Sequence, residues 1–354
     1  MKIYIDCTNY IHKKTGGGNY FAHTLLKIFK DNKYFEVTIF IRNNQEIYFN
    51  KYKNYINIFK IRHSSDISIL VWLNLIFPFI ALKSDLVIFP HNFKPILFFK
   101  KNLLIVHDLN YLYFKDNFLG IKKKFSVFMR IYSLLTSTVN VTISDQIKID
   151  IFKRYKRKAI RIYNCIEKSS KNYLKNEEEK RYQDLDYYLI ITSLGKHKNL
   201  RNCLEAINEY HKKGFKKTFI FIGNWDKNCF RKYVNKRTLA FGYINEDFKN
   251  SLIKNADAIL IPSLYEGFGL PYIEAAFAKK TLIACKIPVV KELLNDYPSY
   301  INKPYSSKDI LKSIENFEEK KYLKKIISEN KLEKFSTHRM KYNYFKVINF
   351  LRKI

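Results

Sequence analysis

Twelve consecutive residues, Ser263-Leu264-Tyr265-Glu266-Gly267-Phe268-Gly269-Leu270-Pro271-Tyr272-Ile273-Glu274, carry the densest chemistry in the chain. Gly267 and Gly269 allow backbone amides to approach a ligand without a Cβ in the way. A glycine turn that feeds a helix N-terminus is an anion site, and phosphate is its usual occupant. Pro271 suits the first helical position, where its missing N–H is not needed. Glu274 then falls within about one turn of the helix start, and Glu266 sits on the loop before it. Two acceptors on either side of a phosphate cradle suit a ligand with hydroxyls on both sides of a diphosphate, which describes a nucleotide-sugar. The element that must present this loop is the apolar run Ala258-Ile259-Leu260-Ile261, closed by Pro262, which reads as a short buried strand.

Similar short apolar runs alternate with helical stretches along the whole chain, which argues for parallel sheets in an α/β protein. Strands are expected near 2–6, 36–41, 85–89, 103–107 and 139–143, with Ser144 capping a helix that begins at Asp145. A second set is expected near 187–192, 217–222, 238–241, 258–262 and 281–285. Between the sets, residues 168–184 are polar and aperiodic and read as a linker. The expected division is an N-terminal domain over 1–167, a C-terminal domain over 185–335, and a helix over 336–354 that returns to the first domain. The length of 354 residues fits two domains, and 47% apolar with 16% aromatic residues can fill two cores.

The five cysteines are odd in number and scattered, with no CxxC pair, so neither a disulfide framework nor a zinc site is expected and a reducing cytoplasm fits. The N-terminal Lys2-Ile3-Tyr4-Ile5-Asp6 is strand-like, and no signal peptide is expected. Ile67 to Leu82 is apolar but shorter than a membrane span and interrupted by Pro78, so it reads as a buried or interfacial helix. The net charge of +32 implies an anionic partner: a membrane surface, a nucleic acid or a phosphorylated substrate. The densest basic clusters are Lys153 to Arg161 and Lys122-Lys123-Lys124.

The stretch from Glu266 to Glu274 resembles the E-x7-E signature of retaining glycosyltransferase family four. In that family the second Glu binds the ribose of the nucleotide, the first lies against the donor sugar, and the intervening amides meet sugar or diphosphate. The resemblance therefore implies Glu274 as the ribose ligand, Glu266 as a catalytic-site residue, and Gly267, Phe268, Gly269 and Leu270 as the donor loop. Other segments extend it over nearly the whole chain. Gly16-Gly17-Gly18 resembles the family's glycine-rich first loop, suited to phosphate or acceptor hydroxyls. His107-Asp108, after an apolar strand, resembles its His-Asp motif, where a histidine can donate to a sugar hydroxyl and change charge near neutral pH. Pro90-His91-Asn92 resembles an acceptor-side segment and implicates Asn92. Lys198-Asn199 resembles the pair that opens the first donor-domain helix, with Lys198 neutralising the leaving diphosphate and Lys196 or His197 as the second diphosphate contact. The chain departs from the family pattern at Cys165 and Glu167, at Lys279 where a glycine C-cap is common, and at Thr281.

The resemblance implies the GT-B fold, two Rossmann-like domains whose parallel sheets face each other across a cleft. It implies retaining transfer of a sugar from a nucleotide-sugar, GDP-mannose-like by its closest likeness to mannosyl- or rhamnosyl-transferring enzymes of surface polysaccharide. The acceptor would be a glycan or a polyprenyl-diphosphate-linked glycan. No Asp-x-Asp stands where it could hold a metal, no cofactor is expected, and front-face attack assisted by the leaving phosphate is the implied mechanism. The expected location is cytoplasmic and peripheral on an anionic membrane surface. Two alternatives share some of these features: another GT-B nucleotide-sugar enzyme such as an epimerase, and a basic nucleic-acid-binding protein. The second gives no reason for Glu266 and Glu274, and no nucleic-acid partner is expected.

Overall fold

The computed structural model describes residues 1–10, 17–62, 65–115, 119–166, 182, 185–224, 236–319 and 327–353. Gly16, Glu167 and all of the expected linker except Tyr182 lie outside the described residues. The chain divides into two compact units, Met1–Cys165 with Lys334–Ile354, and Ile166–Glu333.

Unit 1 holds seven parallel strands: β1 (Lys2–Asp6), β2 (Glu36–Arg42), β3 (Asn57–Ile61), β4 (Leu86–Phe89), β5 (Asn102–Val106), β6 (Val139–Thr142) and β7 (Ile160–Arg161). Their order is β3-β2-β1-β4-β5-β6-β7, so the direction of winding reverses between β1 and β4. The central strands β4 and β5 are buried at every position, as expected when both faces of a parallel sheet are covered. The helices used below are α1 (Gly17–Lys27), α2 (Asp66–Leu75), α3 (Phe77–Ala81), α4 (Ile121–Thr136) and α5 (Asp145–Tyr155). Ser144 caps α5 as expected, its hydroxyl accepting from the Ile147 amide at 3.4 Å.

The apolar run from Ile67 to Leu82 is two helices rather than one, because Pro78 opens α3 just after Ile76 ends α2. Ile69, Trp72, Leu73 and Phe77 turn into the core, where Phe40 meets both Trp72 and Phe77.

Unit 2 holds six parallel strands: β8 (Tyr187–Ser193), β9 (Thr218–Asn224), β10 (Thr238–Gly242), β11 (Ala258–Ile261), β12 (Thr281–Cys285) and β13 (Ser299–Ile301). Their order is β10-β9-β8-β11-β12-β13, with the reversal between β8 and β11. This is an open doubly wound parallel sheet, an arrangement in which ligands sit where the winding reverses. Its helices include α6 (Leu200–Lys212), α7 (Glu246–Asn255), α8 (Leu270–Phe277) and α9 (Ser307–Glu318). The last helix of the chain, α10 (Thr337–Lys353), belongs to unit 1. Its fully buried Tyr344 meets Phe21 of α1 at 6.1 Å between ring centroids, and Phe345 meets Phe29 at 5.9 Å.

Three strands are absent from the sequence reading: β3, β7 and β13. Each lies at the edge of its sheet. β3 is largely unburied, β7 has two residues and β13 three, so none produces a buried apolar run.

Candidate functional site

In unit 2 the loop 262–269 leaves β11 and the turn 194–199 leaves β8, so the two meet where the winding reverses. The Leu264 amide donates to the His197 carbonyl at 2.7 Å and fastens one to the other. Lys198 Nζ then reaches Glu266 Oε1 at 2.6 Å, with the two side chains 19% and 14% exposed. Such a half-desolvated pair is stronger than a surface ion pair, yet remains open to exchange with an incoming charge.

Asn199 is buried in the left-handed conformation, and its carboxamide donates to the Tyr305 carbonyl at 2.9 Å and accepts from Asn202 at 2.8 Å. Its side chain therefore holds the turn that presents Lys198. Lys196 is exposed on the same turn, and His197 is half-buried.

Helix α8 begins at Leu270, one residue before Pro271, with Gly269 as its N-cap. Gly269 has a φ of +85°, and a Cβ there would lie 2.3 Å from Tyr272 Cδ2, so no other residue fits this turn without displacing the ring. The Phe268 side chain is only 3% exposed and belongs to the core, so the part of this residue suited to a ligand is its amide. Glu274 lies on the second turn of α8, where Lys249 Nζ of α7 reaches its Oε1 at 2.8 Å. Lys249 also pairs with Glu246 at 2.7 Å. Burial works against the charge on Lys249, but the two carboxylates more than offset it and hold its proton more firmly than in water.

In unit 1 the corresponding reversal lies between β1 and β4. Gly17 opens α1, and Phe21 one turn later packs edge-on against the His107 ring at 5.0 Å between centroids. His107 follows β5, and its amide donates to Asn92 Oδ1 at 2.6 Å. Asn92, itself at a φ of +60°, is thus occupied in positioning the His107 backbone.

His107 Nε2 lies 2.6 Å from the Pro90 carbonyl. A carbonyl only accepts, so Nε2 carries the proton and Nδ1 presents a lone pair. Nδ1 is buried and finds no hydrogen-bond partner among the described residues. Burial lowers the pKa of His107 despite the opposing effects of the Pro90 carbonyl and Asp108. Burial thus favours the neutral ring, in which Nδ1 offers an acceptor rather than a donor. The pKa of its neighbour His91 is lowered to about 3 by burial and by His107.

Residues 173–334 match the family described as glycosyl transferases group 1. The O-antigen chain mannosyltransferase RfbU of Salmonella typhimurium is 26% identical over 241 residues, which cover 65% of this chain and 64% of RfbU. The match to the group 1 glycosyltransferases thus lies in the C-terminal part of the chain, residues 173–334.

The serotype-specific mannosyltransferase WbdA of Escherichia coli is 28% identical over 138 residues, covering 37% of this chain and 17% of WbdA. The aligned regions thus span under two thirds of RfbU and a small part of WbdA. Among solved structures, Anabaena HepE in complex with UDP and glucose superposes with a TM-score of 0.71 at 15% identity over 99% of both chains. With two parallel Rossmann-like sheets, the fold is GT-B.

Two parts of this geometry are absent from the sequence reading. One is Lys249, which pairs with Glu274 across 25 residues, so only the crossover from α7 through β11 to α8 brings the two together. The other is a set of bonds at the ends of β1 and β2 in unit 1. The Asp6 carboxylate accepts from the Thr8 hydroxyl at 2.6 Å, and the Thr8 carbonyl accepts from Arg42 Nε at 2.7 Å. Gln45 Nε2 donates to the Tyr10 carbonyl at 2.6 Å. Asp6 and Arg42 end β1 and β2, the position where ligand-facing groups of such sheets stand, and that was the available signal.

Proposed function

We propose that this protein is a group 1 glycosyltransferase that moves a sugar, with retention, from a nucleotide-sugar of GDP-mannose type to a glycan or polyprenyl-diphosphate-linked glycan of a surface polysaccharide. The observation that carries the reading is the Lys198–Glu266 pair at the winding reversal of unit 2. Glu274 stands on the adjacent helix, braced by Lys249. The names of RfbU and WbdA favour mannose and O-antigen chains.

In this reading Glu274 accepts from the ribose hydroxyls. The diphosphate takes Lys198 from Glu266, and the freed Glu266 carboxylate turns to a hydroxyl of the donor sugar. The amides at the start of α8 add fixed dipoles. As the bond from the anomeric carbon to the phosphate oxygen breaks, Lys198 stabilises the charge developing on that oxygen, a preorganised effect with no reorganisation at the moment of reaction. The acceptor oxygen attacks from the same face and gives its proton to the departing phosphate, so the products are the glycoside and the protonated nucleoside diphosphate. His107 Nδ1 accepts a hydrogen bond from a sugar hydroxyl. No metal or cofactor enters this scheme.

The test is thermal unfolding with a panel of nucleoside diphosphates and their sugars, because a ligand that binds only the folded state raises its apparent stability. GDP and GDP-mannose are expected to give the largest shift, followed by transfer to a lipid-linked acceptor. Absence of a shift with every nucleotide would overturn the reading.

A further inference from the structure

Unit 1 carries an apolar surface that nothing among the described residues covers. The connections from β3 to β4 and from β5 to β6 run in the same direction through the sheet order, and right-handed crossovers place both on one side of the sheet. Helices α2, α3 and α4 therefore share that side. The β4–β5 loop ties them together: the Ile96 amide donates to Asn74 Oδ1 of α2 at 2.9 Å, and Tyr132 of α4 donates to the Ile96 carbonyl at 2.7 Å. On the outer side of these elements Ile67 is 77% exposed, Leu75 61%, Phe79 72%, Phe99 92%, Ile121 88% and Phe128 56%. Isolated exposed apolar residues are ordinary, but this many large ones on elements that share one side of the sheet mark an interaction surface.

Apart from Asp66 at the start of α2, the charges on the same elements are all positive. Residues 67–82, 93–101 and 121–136 contain Lys94, Lys100, Lys101, Lys122, Lys123, Lys124 and Arg130, and no acidic residue. Lys101, Lys122, Lys123 and Lys124 are exposed. A second copy of the chain would bring positive charge against positive charge. A lipid surface with anionic headgroups matches both features: large apolar side chains enter the boundary with the acyl chains while lysines stay with the phosphates. Among the described residues no helix is long and apolar enough to cross a membrane, so contact at the surface is the geometry available.

The basic run from Lys153 to Arg161, which begins at the end of α5 and reaches β7, fits this role less well than the sequence suggests. Arg157 donates to the Ser137 carbonyl at 2.9 Å, and Arg161 pairs with Asp145 at 3.2 Å.

We propose that the face formed by α2, α3, the β4–β5 loop and the start of α4 docks on an anionic bilayer surface, with Phe79, Phe99, Ile121 and Phe128 inserted and Lys122–Lys124 on the phosphates. The full chain is sedimented with vesicles of phosphatidylcholine alone or mixed with phosphatidylglycerol, at low and high salt. The wild-type chain partitions to the mixed vesicles and weakly to phosphatidylcholine. Phe79→Glu with Phe99→Glu lowers partitioning by about tenfold or more at both salt concentrations, since each removes apolar insertion and adds repulsion. Lys122→Glu with Lys123→Glu and Lys124→Glu lowers it at low salt only, because the electrostatic part is screened at high salt. These positions are exposed, and unchanged unfolding temperatures show that the variants fold.

No binding by the wild-type chain, or equal binding by the phenylalanine variant, overturns the proposal. So does a dimer in sedimentation velocity that the same two substitutions abolish, which would assign the face to a second copy. The assay contains no donor or acceptor, so its failure leaves the transferase reading standing, and failure of the nucleotide panel leaves this one standing.

Discussion

At the scale of single residues, the charged groups of unit 2 act as pairs, and this determines how substitutions read out. Glu274→Ala removes the ribose acceptor and is expected to weaken nucleoside diphosphate binding by about 1–3 kcal/mol, the range for hydrogen bonds to a charged group. Calorimetric titration of the folded variant checks this, and unchanged affinity would remove Glu274 from the site. Lys198→Ala is more complex, because it leaves the Glu266 carboxylate, 14% exposed, without its cation. Loss of one partner of a largely buried pair destabilises the fold as well as the transition state. The double variant Lys198→Ala with Glu266→Gln restores part of the stability and none of the turnover. Turnover is expected to fall by roughly 10²–10³-fold in both variants, the usual scale for one preorganised electrostatic group. Equal recovery of stability and activity in the double variant would mean the pair is structural. The cycle separates the two effects because the residues are in direct contact.

At the scale of elements, the same α8 turn shows what the sequence makes legible and what it does not. The glycine turn, the helix start and both glutamates are local features, readable from one segment. Lys249 is not, because its partner depends on how a strand–helix crossover closes. The central strands were legible because they are continuous apolar runs, whereas β3, β7 and β13 at the sheet edges lack that signal. The departure noted at Lys279 has a structural counterpart. The residue follows α8 with a φ of +55°, and its amide and that of Lys280 donate back to Ala276 and Ala275. This is a left-handed helix end built with a lysine. Lys279→Gly is expected to stabilise unit 2 by about 0.5–1 kcal/mol by removing the Cβ penalty. Gly269→Ala at the other end of the helix does the opposite, because its Cβ would press on Tyr272 at a φ of +85°. Urea unfolding of both variants checks the pair of signs, and a stabilised Gly269→Ala would contradict the packing described here.

At the scale of the whole molecule, unit 1 is sensitive to acid because burial favours neutral histidines inside it. His23 lies between the Tyr52 and Tyr10 hydroxyls at 2.8 and 3.0 Å. Burial, with Lys51 and Lys27 nearby, lowers its pKa to about 4. His91 is lowered to about 3 by burial and His107. In the unfolded chain both take up a proton near the ordinary value of 6.5. Below that pH the unfolded state therefore binds more protons, and stability falls with pH. The contribution is complete above about pH 6.5 and is lost progressively as pH drops toward about 4 for His23 and about 3 for His91. Each tenfold difference in proton affinity is worth about 1.4 kcal/mol, so His23 alone accounts for up to about 3 kcal/mol at the acid end. The chain has two tryptophans, Trp72 and Trp225. Trp225→Phe leaves Trp72, 6% exposed in the core of unit 1, as the single fluorescent reporter of that unit's unfolding. In that background, urea midpoints are expected to decline between pH 6.5 and pH 4, and His23→Gln flattens the decline because glutamine retains hydrogen bonding to Tyr10 and Tyr52 without titrating. A midpoint equally pH-dependent in the His23→Gln chain would show that His23 is not the group that couples unit 1 to acid.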